Sequence, residues 1–540
     1  MKRLKLLGMI AALALVAALA VGLGSPHQPV IEPVRDIEEI WALEDERAES
    51  EEPLVTALWC NGVPMPYDTE NNVFYCSLGL ENGTEWPDMR ITAPETLGQK
   101  LNLCFSDDYS YDDCDEAIRR GYSYQVMAYT RKQYAYFEII FTGLPLISIH
   151  TDSEISREDT PASVTVSAFG ENGVESDARV HYRGGLTMGQ SKSGYKIEYT
   201  RYADGRKKTV RQTPLLGETD SIILLPMVFD RTLMCDRLSW DVYGDMTPEL
   251  TRFSARQSFY TEVFVNGSYQ GVYLMLVPFR KKAEINAAGA GHALRDGLYR
   301  TCVGYLSDRK QVQNPYREGM AYELHYAPLG QEDEFAPLAD YLDWVEEEDD
   351  ERFLQKAAAR VDLNSAIMTQ LLFQAGGMSD NVFNNLYIWA EQTSTGWLYH
   401  YIPWDMDLSW GKKREDVGEN YENWMCYPTV DRWMVLDCDV RTQTAERWQD
   451  MRKTVLDTER LSEKLERYAY ELNASGAMAR EAECWQNVDY EADGMQILEF
   501  IFDRFAAMDA VFDWILQNPD ETPVFLTKTN YETKGVAPEL

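Results

Sequence analysis

Residues 379–411 read SDNVFNNLYIWAEQTSTGWLYHYIPWDMDLSWG, and this stretch decides how the rest of the chain is interpreted. Segments 386–389 and 397–402 are rich in aromatic and branched side chains, which predicts two short strands joined by a turn at 392–396. A run with helical periodicity precedes them at 363–374, and Gly376 and Gly377 end it. The stretch therefore predicts a helix followed by a β-hairpin.

Oxygen-bearing side chains flank both ends of this hairpin. Asp380, Asn384 and Asn385 precede the first strand, and Asp405 and Asp407 follow the second. Carboxylate and amide oxygens from two adjacent segments suit a hard divalent cation that keeps waters for a phosphate. Asp380 precedes Asn385 by the offset that separates the base from the metal-binding amide in a protein-kinase catalytic loop, and Asp405 follows a hairpin as the second metal-binding acid of a kinase does. The pattern indicates a phosphoryl-transfer site.

Three separated motifs carry a family resemblance. IPWDMDLSWG at 402–411, NGSYQGVYLM at 266–275 and SGYKIEYT at 193–200 together resemble the CotH spore-coat protein kinase family. The resemblance covers residues 144–514. It implies an α+β fold, in which an atypical protein-kinase-like domain has mostly antiparallel strands and a helical C-terminal lobe, preceded by a small β-rich domain.

The resemblance also implies a nucleotide-binding loop. A glycine-bearing turn between two strands brings backbone N–H groups to phosphates, and a lysine on the second strand reaches them. Arg183, Gly184 and Gly185 begin such a turn. Lys196 on the following strand matches the nucleotide lysine of the family, and Lys192 matches an earlier lysine of the same motif. Without the family, an exposed strand lysine is the simpler interpretation of Lys196.

By the same resemblance, Asp380 accepts or orients the proton of a substrate hydroxyl, while Asn385 and Asp405 hold Mg²⁺ against the phosphates of ATP. Asp407 is a further metal ligand or a supporting residue. The expected reaction is transfer of the ATP γ-phosphate to Ser or Thr of a surface or coat protein, and Ser-rich or Lys-rich proteins are the implied substrates. Each acid also has a structural alternative, as a helix cap or a loop carboxylate bonded to backbone.

The sequence departs from the family pattern at three places. Val277 stands where a glutamate usually closes the second strand of a hairpin, and the turn that follows Arg183 lacks the usual Asn-Ser-Ser. Arg237, near the start of a predicted helix, follows Cys235 and Asp236, so its contact is shifted or lost. These departures keep open a second interpretation, a non-catalytic, pseudokinase-like scaffold or binding protein on a cell surface or coat.

Other catalytic classes find little support in the sequence. The six histidines include no H-E-x-x-H motif or other paired ligand spacing, and there is no G-x-S-x-G nucleophile elbow. No pair of acids stands out for glycoside hydrolysis, which would also leave the spacing of Asp380 and Asn385 unexplained. Phosphoryl transfer is therefore the enzyme class that the motifs favour.

The net charge and the N-terminal segment limit which binding partners and which cellular location fit this chain. The chain has 540 residues and a formal net charge of −37, which excludes a basic nucleic-acid footprint and disfavours docking on an anionic membrane surface. Its first residues are positively charged, and 6–24 are almost wholly apolar, which predicts a signal peptide or an uncleaved N-terminal membrane anchor at 1–24. We therefore expect a secreted or cell-surface protein.

The length predicts two or three domains. After the leader, we expect an acidic linker at 25–53 with a short helix at 37–47, a β-rich, sandwich-like module at 54–143, the kinase-like domain at 144–517 and a loosely ordered tail at 518–540. Among nine cysteines, Cys60 could pair with Cys76 and Cys104 with Cys114.

Local signals predict further elements of the kinase-like domain. Asn266 and Gly267 predict a type I′ hairpin. Asp230 is expected to cap a helix that extends to residue 243, and Asp362 one that begins at residue 363. Later helices are predicted at 444–472, 478–485 and 494–516.

Overall fold

The computed structural model describes residues 28–32, 36–80, 90–95, 100–106, 116, 118–119, 121, 123–169, 171–184, 192–247, 257–278, 295–303, 310–316, 319–328, 330–412, 424–425 and 428–527. Predictions for the 1–24 leader, for Gly185, for Cys114 and for most of the C-terminal tail lie outside the described residues. The described part of the chain is α+β, with sheets that are mostly antiparallel and a helical C-terminal half.

Two β-sheets form the N-terminal region. The larger has the order β1-β8-β9-β10-β6-β5, with β2 on β10, and the smaller has the order β4-β3-β7. The strands are β1 (Ile31–Glu32), β2 (Ala48–Glu49), β3 (Trp59–Cys60), β4 (Val63–Pro64), β5 (Tyr67–Asp68), β6 (Val73–Ser77), β7 (Ile91–Thr92), β8 (Asn102–Phe105), β9 (Ser123–Tyr129) and β10 (Gln133–Thr142).

The stretch expected to be an acidic linker is folded onto the larger sheet. β1 pairs with β8 and β2 with β10, both in parallel, and the predicted short helix is confirmed as α1 (Ile37–Asp45). Ile40 of α1 is buried against Met127 and Tyr129. The acidic composition misled the sequence interpretation because the helix exposes its acids and needs only a few apolar contacts to dock.

Cys60 and Cys76, one of the two pairs that the spacing allowed, lie together in the core of this region. Cys60 and Cys76 are both buried as thiols, with no disulfide between them. The hydrogen bond between them lowers the pKa of Cys60, against the opposing effect of burial.

A seven-stranded closed barrel follows, with the order β11-β12-β13-β14-β17-β19-β18. Its strands are β11 (Leu146–His150), β12 (Thr160–Ala168), β13 (Glu171–Arg183), β14 (Gly194–Tyr199), β17 (Ser221–Leu225), β18 (Ser258–Val265) and β19 (Ser268–Leu276); β15 (Arg211–Thr213) and β16 (Gly217–Thr219) pair separately. The parallel pairing of β11 with β18 closes the barrel. The predicted type I′ turn is confirmed, since Asn266 and Gly267 have φ values of 49° and 78° between β18 and β19.

A five-stranded sheet of order β21-β22-β20-β23-β24 comes next. It contains β20 (Gly297–Val303), β21 (Gln311–Gln313), β22 (Met320–Tyr326), β23 (Leu386–Thr393) and β24 (Gly396–Pro403). The last two strands pair in antiparallel register from Leu386–Pro403 to Thr393–Gly396. This pairing confirms the hairpin predicted from the aromatic and branched segments.

Helices make up most of the remainder. They are α2 (Cys235–Met246), α3 (Ala336–Leu342) with a π turn (Asp343–Glu347), α4 (Asp350–Arg360), α5 (Leu363–Gly376), α6 (Ser379–Phe383), α7 (Pro428–Leu436), α8 (Cys438–Arg452), α9 (Thr458–Ala474), α10 (Ala477–Cys484), α11 (Met495–Gln517) and α12 (Val524–Thr527). None of these described helices combines the length and the apolarity that crossing a membrane requires.

One of the helix predictions holds in the structure and another does not. The cap at Asp362 is confirmed, because its carboxylate accepts a hydrogen bond from the Ser365 backbone N–H. The single helix predicted at 444–472 is wrong, because α8 ends at Arg452 and α9 starts at Thr458. Asp457 caps α9 between them by accepting from the Arg460 N–H, and the apolar spacing alone did not reveal that break.

One large apolar core holds the barrel, the five-stranded sheet and the helices together. It joins residues from the outer face of the barrel, such as Leu274, to Tyr399 of the sheet and Trp448 of α8. A second core, which contains Ile197 and Val263, fills the inside of the barrel. Strand alternation therefore gives the barrel two buried faces along β17, β18 and β19.

A buried ion pair links the start of β14 to α10. Lys192 Nζ lies 2.5 Å from Glu481 Oε1 and 2.5 Å from the backbone oxygen of Val272, and Glu481 Oε2 accepts the Val272 N–H at 2.7 Å. The two side chains are 1 % and 0 % exposed. Each buried charge depends on the other, because an unpaired ion in such a place is strongly destabilising.

We expect Glu481→Gln to lower the free energy of unfolding by about 3–5 kcal/mol, because Lys192 would keep a buried charge without a counter-ion. The double variant Lys192→Met/Glu481→Gln should recover at least half of that loss, since it removes both charges and keeps an acceptor for Val272. Chemical denaturation measures both changes.

The control for this experiment is Asp204→Asn, which breaks the exposed ion pair with Arg206 and should change stability by less than about 1 kcal/mol. A Glu481→Gln effect no larger than that of the control would contradict the structural role of the buried pair.

Candidate functional site

The end of α5 places Asp380. The predicted helix stop is confirmed, since α5 ends at Gly376 and Gly377 follows in the left-handed region with a φ of 62°. The short helix α6 then carries Asp380, whose side chain is buried. Asp380 Oδ2 accepts hydrogen bonds from the side-chain amides of Asn385, at 2.8 Å, and Asn384, at 3.3 Å. Two amides thus fix the orientation of this carboxylate.

Asn385 connects Asp380 to the far end of the hairpin. Its backbone oxygen accepts the Trp404 N–H at 3.0 Å, and the amide of the fully buried Asn381 donates to the Trp404 oxygen at 2.7 Å. Both backbone groups of Trp404 are therefore held by the segment that carries Asp380. The sequence interpretation did not identify Asn381, although it lies beside Asp380.

Asp405 follows Trp404 in a left-handed conformation, with a φ of 56°. Among residues other than glycine, Asp and Asn tolerate this region best. The next residue, Met406, donates its N–H to Asp236 Oδ1 of α2 at 3.3 Å. The turn that presents Asp405 is thus held on one side by α6 and on the other by α2.

The first turn of α2 and the segment before it bring two further acids to the site that the sequence did not assign to it. The first is Asp236. The second is Asp230, which was predicted to be the helix cap itself; the helix instead begins at Cys235 with Met234 at the cap position. Asp230 stabilises the start of the helix from a distance, since Oδ2 accepts the Cys235 N–H at 2.7 Å while Oδ1 accepts from Thr232. These two acids are about 170 residues away from Asp405 in sequence, so no local motif could reveal them.

The acids repel one another. Burial, together with the charges of Asp405, Asp236, Asp380 and Asp230, raises the pKa of Asp407 well above its usual range. Burial and Asp405 likewise raise the pKa of Asp236 to about 7, although the Met406 N–H and Arg183 oppose the shift. Five carboxyl groups therefore converge here, and Arg183 offsets only part of the repulsion that Asp236 experiences.

Two arginines border the acidic group. Arg183, at the end of β13, has its guanidinium over the Trp404 ring, with 5.7 Å to the ring centroid. Burial lowers the pKa of Arg183, while Asp405 and Asp236 act in the opposite direction. Arg300 of β20 forms an ion pair with Glu323 and also lies within electrostatic range of Asp405. Of the predicted loop residues, the structure therefore brings Arg183 to the acids, and Gly184 follows it at a φ of 105°.

The two predicted lysines lie elsewhere. Lys192 is occupied by the buried contact with Glu481. Lys196 points outward from the barrel, where its Nζ is 2.9 Å from Glu198 Oε1. Burial disfavours the Glu198 charge, but Lys196 and Lys208 outweigh it and lower the pKa of Glu198 to about 2. The assignment of these lysines to a nucleotide stays a prediction.

The donor set suits a hard divalent cation. Asp405 and Asp407 offer carboxylate oxygens, and Asn385 offers an amide oxygen. The amide nitrogen of Asn385 donates to Asp380, so its amide oxygen is the atom that would bind a cation. Within the described ranges, no three Asp, Glu, His or Cys side chains are arranged to hold an ion by themselves. A cation here would therefore also take ligands from the Asn385 amide, water or a bound phosphate.

We expect Asp407→Asn to stabilise the protein in EDTA by on the order of 1 kcal/mol, because one of five mutually repelling carboxyl groups is removed. Mg²⁺ should raise the melting temperature of the wild type, and this rise should shrink in the variant. Differential scanning fluorimetry measures both. Asp450→Asn, at an exposed acid of α8, is the control; equal Mg²⁺ responses in all three proteins would contradict a cation site at Asp407.

Comparison with known proteins identifies a family for this chain. No curated protein matches the chain. The family model described as CotH kinase protein matches residues 180–508, more than half of the chain. The matched range contains the five converging acids, both arginines, Asn385 and the hairpin that places them. The chain therefore belongs to the CotH kinase family.

Proposed function

We propose that this protein is an atypical protein kinase that transfers the γ-phosphate of ATP to a Ser or Thr hydroxyl of a protein. The observation that carries the proposal is the hairpin β23–β24, which joins Asp380 and Asn385 at its start to Asp405 and Asp407 at its end. Membership of the CotH kinase family supports the same reaction class.

Asp380 is the residue that receives the substrate hydroxyl. Its carboxylate is an acceptor whose Oδ2 is already bonded by two amides, so its direction is fixed before any substrate arrives. A carboxylate held in this way positions a hydroxyl for in-line attack and accepts its proton as the reaction proceeds. Little covalent chemistry is needed beyond this positioning.

Asn385, Asp405 and Asp407 are the residues that would hold Mg²⁺. Bound Mg²⁺ supplies positive charge against the phosphates of ATP. The protein's own contribution is to gather the oxygens: Asn385 and Asn381 fix Trp404, and Asp236 fixes Met406, so that the intervening Asp405 has one backbone geometry. The mutual repulsion of the acids favours cation binding, because a cation relieves it.

The architecture supports assigning two kinase-like lobes. The barrel contributes Arg183 and α2 packs on its strand β18, while the five-stranded sheet and helices α5 and α6 contribute the acids. We infer that 144–517 is the kinase domain and that the β-rich region before it, 54–143, is an accessory module docked on it. Glu262 of the barrel accepts from Thr142 of that module and pairs with Arg480 of α10.

We propose the class of protein that accepts the phosphate from the net charge of the chain and from its family. A net charge of −37 favours a basic protein, which agrees with a Lys-rich or Ser-rich surface or coat protein as substrate. The N-terminal segment at 1–24 would export the chain or tether it to a membrane, so the acceptor is proposed to lie outside the cytoplasm.

A non-catalytic scaffold is the second candidate. The observation that favours it is the absence, within the described site, of a lysine bonded to the acidic group, since Lys192 and Lys196 both pair with glutamates. Val277 in place of the family's glutamate points in the same direction. Under this candidate, the site would bind nucleotide without transferring phosphate, or bind none.

The test is transfer of radiolabel from [γ-³²P]ATP with Mg²⁺ to the protein itself and to a Lys-rich, Ser-containing acceptor. We expect Asp380→Asn and Asp405→Asn each to lower the rate by roughly 10²–10⁴-fold, because each removes one charge at a fixed position. Asparagine is the replacement of choice at residue 405, since it accepts the left-handed backbone that alanine would strain.

Asp450→Asn should leave the rate unchanged, because Asp450 is exposed on α8. Labelling that survives both site variants would place the chemistry elsewhere. No labelling by the wild type, under conditions where MgATP raises its melting temperature, would favour the scaffold.

A further inference from the structure

We propose that Arg183 and Arg300 form a paired-guanidinium site for the phosphate groups of the nucleotide, and that this pair takes the phosphate-binding role expected of Lys196 and Lys192. The inference rests on the proposed function and adds to it the residues that hold the triphosphate. The observation behind it is that two sheets each place one partly buried arginine beside the residue that precedes Asp405. Arg183 lies over the Trp404 ring at 5.7 Å, and Arg300 lies opposite Tyr387, whose ring is 6.0 Å from that of Trp404.

The two arginines approach Asp405 from different parts of the fold. Arg183 is the last residue of β13 in the barrel, and Arg300 is in the middle of β20 in the five-stranded sheet, where it lies opposite Tyr387 and Glu323. Asp405 lies within electrostatic range of both guanidinium groups. A phosphate bound beside Asp405 would therefore meet one guanidinium from each sheet.

The two guanidinium groups retain hydrogen-bond donors that a ligand could use. Arg300 is among the groups that disfavour the Arg183 charge, so the two guanidiniums repel each other. Among the described residues, Arg183 has no ion-pair or hydrogen-bond partner for its guanidinium, and the buried Nε of Arg300 has no hydrogen-bond partner. Arginine stays charged in proteins, so the site cannot relieve this repulsion by losing a proton.

A bound phosphate would neutralise the repulsion between the two guanidinium groups and would accept hydrogen bonds from their unpaired N–H groups. The guanidinium fork matches two oxygens of a phosphate at once, and charge-assisted hydrogen bonds of this kind are the stronger ones in proteins. The neighbouring acids would repel a bare anion, so binding should require a divalent cation as well. These two conditions describe a metal-bound polyphosphate better than a carboxylate or a free monophosphate.

Fixed supports hold both arginines in place. Arg300 is anchored by Glu323, whose side chain is 2 % exposed, and Arg183 lies over Trp404, whose two backbone groups are bonded to Asn385 and Asn381. Trp404 therefore couples the phosphate side of the site to the segment that carries Asp380. Lys192 is not available to bind phosphate, because moving its side chain would leave Glu481 buried without a counter-ion.

The experiment measures binding by titration calorimetry with three probes: MgATP, Mg²⁺ with tripolyphosphate, and adenosine. Arg183→Met and Arg300→Met should each weaken MgATP and tripolyphosphate at least tenfold and leave adenosine unchanged. Arg300→Lys should restore only part of the loss, because a lysine lacks the fork. Arg206→Met, at an exposed arginine of the barrel region, is the control and should change nothing.

Arg300→Met removes the ion pair with the buried Glu323, so the double variant Arg300→Met/Glu323→Gln is measured beside it. The double variant should keep the fold and still lose tripolyphosphate binding. Equal weakening of adenosine and tripolyphosphate, or no weakening in any variant, would overturn the proposal. A phosphoserine peptide whose binding is lost in the variants, while MgATP binds as before, would also overturn it by assigning the arginines to the acceptor.

The outcomes separate this inference from the kinase proposal. If the wild type transfers phosphate and KM for ATP is unchanged in both arginine variants, the kinase proposal is supported and the arginine pair is ruled out. If the wild type binds tripolyphosphate through the arginines but labels no protein, the arginine pair is supported and the kinase proposal is ruled out.

Discussion

The mutual repulsion of five carboxyl groups is the constraint on which the site depends. Asp230, Asp236, Asp380, Asp405 and Asp407 come from three separate segments, and the other four lie close enough to raise the pKa of Asp407. Buried like charges are unfavourable unless the surrounding structure holds them or a cation neutralises them. In the described structure, hydrogen bonds to the backbone hold the acids in place. We propose that the arrangement exists because a cation then neutralises their charge.

Those hydrogen bonds converge on a short turn. Trp404 is held by Asn385 and Asn381, Met406 by Asp236, and the Trp410 N–H donates to the oxygen of Gly376 at 2.7 Å. The turn is therefore held at its start, middle and end by α6, α2 and the last turn of α5, respectively. Strain at Asp405 is tolerated because its neighbours on both sides are fixed, which is a common condition at functional sites.

Local sequence signals predicted part of this arrangement. The hairpin, the helix stop at Gly377 and the grouping of Asp380, Asn385 and Asp405 follow from turn residues, strand composition and short spacings, and the structure contains all three. Asp236, Asp230 and Arg300 were missed because tertiary packing alone brings them there. Lys192 matched a motif, but its counter-ion Glu481 lies 289 residues further along the chain, where no motif could indicate it.

The measurement that tests the central claim most directly is a crystal structure with Mn²⁺ and a non-hydrolysable ATP analogue. The account predicts anomalous density for Mn²⁺ among Asp405, Asp407 and the Asn385 amide oxygen, with phosphates between that ion and the guanidiniums of Arg183 and Arg300. Phosphates on the outer face of the barrel at Lys196, with no ion at Asp405, would contradict it.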